Sequence, residues 1–151
     1  MGKLNIIGIG TKKINDISYE GYISIEKNNL KYLRTNHHPF SEYLKEKGVE
    51  FETFDSYFIE NTSLDDVYEN IINTINNKII EYEEVNYYVP GSPYYGDVVT
   101  EYYLNNTSTR PNFAIRTCLH NTKMGNCHRT HTVHTHDYFI RKTTYVYKTK
   151  F

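Results

Sequence analysis

Four short stretches of this chain carry the residue types that chemistry needs, and each follows an apolar run. Gly8-Ile9-Gly10-Thr11 closes the run Leu4-Asn5-Ile6-Ile7; two glycines so spaced make a tight turn whose backbone amides stand free of any Cβ. In Arg34-Thr35-Asn36-His37-His38-Pro39, the His38 imidazole before a proline has the chemistry to position a substrate group near neutral pH, although a loop histidine is more commonly just solvated. Asp55, just after Phe54, is a carboxylate that suits a turn or cap better than a catalytic base. Pro90-Gly91-Ser92-Pro93, with Tyr95 close behind, combines two fixed φ angles with one unrestricted residue, so the loop is rigid yet open to close approach by a ligand. A fifth group, Cys118, His120, Cys127, His128, His131, His134 and His136, contains zinc-ligand types. Its spacing fits no standard finger, so accidental composition outweighs a metal site and none is expected.

These loops need a frame, and the periodicities supply one. Leu4 to Ile7 reads as a buried strand, Leu30 to Leu33 as a second, Val49 to Phe54 as a third by its alternation, and Val85 to Val89 as a fourth. Between them stand helical patterns. Asp16 or Ser18 caps the first, on which Tyr19, Tyr22, Ile23 and Lys27 recur at helical spacing. Phe40, Tyr43 and Leu44 make the stripe of the second, which stops at Gly48. Ser63 precedes Asp65-Asp66 and the long stripe Leu64, Val67, Tyr68, Ile71, Ile72, Ile75 and Ile79, and a last helix is expected from Val98 to Leu104. Alternation of this kind predicts an α/β fold with a mainly parallel sheet covered by helices on both faces. Ligands of such sheets sit beyond the carboxyl ends of the strands, where the loops named above fall.

The chain has 151 residues, about one domain, and a mean hydropathy of -0.66. Its 16 Tyr and 7 Phe supply large apolar surfaces that argue against disorder. No 18-residue apolar run or secretory leader is present, and the two cysteines are too few for a disulfide framework, so a cytoplasmic protein without a membrane partner is expected. Up to Leu104 the chain carries nine Lys and Arg against seventeen Asp and Glu, a charge of -8; beyond it eight stand against one, a charge of +7. The shift predicts a boundary: a structured head, 1–104, and a basic Thr/His-rich tail, 105–151, frame-shifted or poorly ordered and not needed for the head to fold. Lys and Arg among Tyr138, Tyr145 and Tyr147 have nucleic-acid chemistry, but a solvated face is the commoner meaning, and nucleic acid is not an expected partner.

In order along the head come IIGIG, YLRTNHHP, FETFDSYF, SLDDVYENI and YYVPGSPYYGD. With these motifs the head resembles the amino-terminal part of the tetrapyrrole methylase family, most closely the methylase-like domain fused to MazG nucleotide pyrophosphohydrolases. The resemblance implies S-adenosylmethionine as cofactor, in a cleft between two α/β domains, with an unidentified small molecule as methyl acceptor. It implies cofactor contacts from Pro90, Gly91, Ser92, Pro93 and Tyr95, and a substrate or cofactor loop at Gly8, Gly10 and Thr11, with His38 nearby. Thr11-Lys12-Lys13 stands where the family has proline, glycine and aspartate, and the residues after Leu104 match neither its second domain nor MazG. The expectation is a truncated methyltransferase-like domain, weakly active or inactive; the alternative is a non-catalytic binding or regulatory module, dimerising through tyrosine-rich surface.

Overall fold

The computed structural model describes residues 2–11, 14–106 and 112–118. Within them the fold is α/β, with five parallel strands in the order β3-β2-β4-β1-β5. The strands are β1 (Lys3–Gly8), β2 (Leu30–Leu33), β3 (Glu52–Thr53), β4 (Glu84–Val89) and β5 (Phe113–Arg116). The helices are α1 (Tyr19–Glu26), α2 (Pro39–Glu46), α3 (Asp55–Glu60), α4 (Leu64–Glu81) and α5 (Val98–Asn105). Side chains alternate across each strand, so each face of the sheet meets its own helices. Leu4, Ile6, Tyr32, Val85 and Tyr87 pack with Val67, Ile71 and Ile75 of α4 and with Val99 and Tyr103 of α5. On the opposite face Ile7, Leu33 and Tyr88 meet Ile25 of α1 and Phe40 and Leu44 of α2.

The expected elements are present, with four differences. The aromatic stripe expected on α1 faces outward: Tyr19, Tyr22 and Ile23 are exposed, and Gly21, Ser24 and Ile25 are buried. Close packing dictates this, because a Cβ on Gly21 would stand 2.9 Å from both Ile7 Cγ2 and Ile17 Cγ1, so α1 docks through its small residues. The third strand shrinks to Glu52–Thr53, although Val49 and Phe51 still pack on the α1/α2 side. One turn of helix, α3, occupies a stretch with no expected element. Finally, the sheet has a fifth strand and so continues past the boundary expected at Leu104. β5 pairs with β1 along Leu4↔Phe113 to Ile7↔Arg116 and buries Ala114, Ile115, Thr117 and Cys118. Four residues with one Ile are too short to show a period, which is why the sequence pattern does not reveal the strand. The expectations for His120 to Tyr147, including the Cys/His group beyond Cys118 and the tyrosines of the basic tail, lie outside the described residues.

Topology places the loops. After β1 and β2 the chain crosses to the α1/α2 face; after β4 it crosses to the α5 face. Since β4 lies between β2 and β1, its carboxyl end is flanked by two strands whose connections leave on the other side. Each such reversal opens a crevice, the usual ligand position in an open parallel sheet.

Candidate functional site

The first crevice, between β1 and β4, is spanned by two glycine loops. Gly10 N donates to Gly91 O at 3.3 Å and Gly91 N to Gly10 O at 2.7 Å, while Ile9 N donates to Val89 O at 3.0 Å. Both glycines are left-handed, at φ 68° and 70°, a region that other residues enter at a cost of about 1–2 kcal/mol. Their surroundings differ. A Cβ on Gly10 would lie 2.2 Å from Asp16 Cβ, whereas one on Gly91 would meet nothing within 4 Å among the described residues. Gly8 is required by space alone, since its Cβ would stand 2.7 Å from Pro93 Cδ, 2.8 Å from Gly91 O and 3.1 Å from Cys118 N. Two loops, after β4 and β5, therefore close on Gly8 at the end of β1.

Of the remaining expected residues, Ser92 and Pro93 are buried, Pro90 is half-buried, and Tyr95 and Thr11 are exposed. Tyr95 N donates to Ser92 O at 3.0 Å, folding the β4 loop into a turn ahead of α5. His38 caps α2: its Nδ1 accepts from Phe40 N at 3.1 Å, which fixes the neutral tautomer with the proton on Nε2, and Nε2 donates to Gly10 O at 3.1 Å. The imidazole thus ties the β2 loop to the Gly10–Gly91 pair. Asp55 accepts from Thr35 Oγ1 at 2.7 Å and from Asn36 N at 2.6 Å. Burial raises its pKa, but these bonds, with a further one from Thr53 and the nearby His37, outweigh burial and leave it below the usual value. Its geometry is that of a brace between β2 and β3 rather than of a base.

The second crevice, between β2 and β4, contains two groups that the sequence reading did not single out. Asp97 caps α5, accepting from Thr100 N at 2.8 Å and Thr100 Oγ1 at 2.5 Å, and Arg34 Nη1 lies 3.5 Å from its other oxygen. Burial drives the Asp97 pKa up, opposed by the Thr100 bonds and the Arg34 charge. Asp97 before an apolar helix is a sequence-legible cap; its partner 63 positions away is not. At the other, amino-terminal edge of the sheet lies a groove of about 740 Å³ lined by Asn28, Asn29, Lys31, Glu50, Glu52 and Tyr82. Among the described residues no group of three or more His, Cys, Asp or Glu is placed to hold a metal, and no helix is long and apolar enough to cross a membrane.

No family model matches the chain. It is similar to an uncharacterized protein, YabN, of Bacillus subtilis (strain 168), at 27% identity over 93 residues, covering 62% of this chain and 19% of that protein. The chain spans about a fifth of the length of this curated relative, whose name assigns no activity.

His38 gives the site a pH dependence with a defined sign. Burial lowers its pKa below 6.5, opposed by the Gly10 carbonyl and Asp16, so the unfolded chain binds the proton more readily than the folded one. Its contribution is complete above pH 6.5 and is lost as pH falls through the depressed folded value, where protonated Nδ1 can no longer accept from Phe40 N. We expect the urea midpoint to fall between pH 7.5 and pH 5 by less in His38→Asn, which keeps a capping oxygen without titrating, than in the parent. An unchanged difference would remove His38 from the cap.

Proposed function

We propose that this chain is a methyltransferase-like domain of the tetrapyrrole methylase type, binding S-adenosylmethionine in the crevice between β1 and β4 with at most weak activity. The observation that carries the reading is the pair of left-handed glycines, Gly10 and Gly91, bonded to each other across the crevice, with space open among the described residues where a Gly91 side chain would begin. Such a pair holds the two loops together and lets a ligand approach the β4 loop at a distance that a Cβ would forbid. The motif resemblance names the ligand. Methyl transfer requires the sulfonium methyl in line with its acceptor and water excluded, so no general acid or base is needed beside the loop.

Calorimetric titration with S-adenosylhomocysteine tests this reading. Binding is expected, and Gly91→Trp should weaken it at least about tenfold by filling the open space, a loss of about 1.4 kcal/mol or more. Because the new Cβ touches none of the described residues, the fold should survive the φ strain, as thermal unfolding will report. Equal binding by both proteins would exclude the loop.

The outward face of α1 favours a second reading, a binding module without catalysis. Tyr19 is 74% exposed and adjoins the exposed Tyr22 and Ile23, a patch suited to a partner or a second copy. Methyl transfer to any acceptor would decide for the enzyme.

A further inference from the structure

Among the described residues of the sheet's carboxyl edge, Arg34 is a charge with no role given above beyond its contact with Asp97. It closes β2, its N–H donates to Tyr88 O at 3.1 Å, and its side chain, 28% exposed, leans into the crevice between β2 and β4. Among the described residues its ion pair is with Asp97 alone, at 3.5 Å, the limit of a hydrogen bond. Asp97 takes both of its short bonds from Thr100 on Oδ2, and the guanidinium stands only at long range from Oδ1. Arg116, the other described arginine of this edge, is committed at 2.9 Å to Glu20. Arg34 therefore retains a fork of donors that is barely engaged, on a rigid strand end, beside the loop that begins at Pro90.

We propose that Arg34 is a carboxylate-binding residue: it turns from Asp97 to receive, in the β2/β4 crevice and through two parallel N–H···O bonds, the carboxylate of a ligand that reaches across the end of β4. The fork matches a carboxylate in a way that a lysine does not. This rests on the cofactor reading above for one source of the carboxylate, the amino-acid end of the cofactor; the acceptor is the other source.

The test uses the full chain, with Arg34→Ala and Arg34→Lys beside the parent. Two probes share an adenosine thioether, S-adenosylhomocysteine with its amino-acid carboxylate and methylthioadenosine without it. Removing a charge-assisted bond should weaken S-adenosylhomocysteine binding about 10- to 100-fold in Arg34→Ala, less in Arg34→Lys, with methylthioadenosine changed less than about twofold in either. Should the alanine variant fail to fold, the lysine variant carries the comparison. In parallel, the Arg34 Nε–H resonance is followed while citrate is added. If S-adenosylhomocysteine binding ignores the substitutions, or neither nucleoside binds the parent, a citrate-dependent shift of that resonance assigns the carboxylate to the acceptor. Only in the second case does the cofactor reading fall with it. No shift in either case overturns the proposal. Equal weakening of both nucleosides also overturns it, since Arg34 would then act only through Asp97 and α5.

Discussion

Gly10→Ala is expected to lower the stability of the fold by about 2–5 kcal/mol, combining about 1–2 for a left-handed alanine with about 1–3 for overpacking. The second contribution follows from the 2.2 Å between the new Cβ and Asp16 Cβ, an atom next to the backbone that yields only if the turn after β1 moves. Moving it pulls on the Gly91 pair and on the His38 bond to Gly10 O, so the loss should spread across three loops. Gly91→Ala is the internal control. Its φ of 70° matches that of Gly10, but its Cβ meets none of the described residues, so about 1–2 kcal/mol is expected. Urea unfolding of both variants measures the clash as their difference, and equal losses would mean that the turn beside Asp16 is slack.

Asp97→Ala should cost about 2–4 kcal/mol: it removes a helix cap worth about 1 kcal/mol and leaves the Arg34 charge and the Thr100 hydroxyl without their partner. Asp97→Asn separates cap from charge. Both Thr100 bonds fall on one oxygen, Oδ2, which an amide oxygen can replace, and only the long Arg34 contact is given up, so a loss under about 1 kcal/mol is expected. The pH trend supplies a second check. Asp97 has a raised pKa in the folded chain, so the folded state holds the proton more firmly and the contribution of this carboxyl to stability declines as pH rises above 3.8. That decline should be absent in Asp97→Asn. A large loss in the asparagine variant would show instead that the charge pair, not the cap, anchors α5.

Long periodic segments and breaker residues were legible in the sequence; contacts between distant segments were not. Ser63 and the isoleucine stripe specify α4 locally, and Ser63 Oγ does accept from Asp65 N, at 3.2 Å. Gly48 stops α2 with φ 68°, its N–H donating to Lys45 O. The outward turn of α1 is another matter, because three large apolar residues outweigh one glycine in any pattern count, yet the approach of Gly21 to Ile7 decides which face is buried. A polar row in the core was equally hidden: Lys31, Asn86 and Asn5 stand side by side on β2, β4 and β1, with Asn5 Nδ2 donating to Asn86 Oδ1 at 2.8 Å and Lys31 Nζ to Lys27 O at 2.7 Å. Only the strand order brings the three together. The glycine and proline loops were visible as turns, and the parallel order places them on one edge; the bond between Gly10 and Gly91 needed both.

The proposed site and the groove at the amino-terminal edge lie at opposite ends of the strands, so one titration can choose between them. In a 1H-15N correlation spectrum of the full chain, added S-adenosylhomocysteine should shift the amides of Gly8, Gly10, Arg34, Gly91 and Tyr95 and leave those of Asn28, Asn29, Lys31, Glu50 and Tyr82 in place. Shifts confined to the second set would put the ligand in the groove and contradict the β1/β4 crevice as the binding site.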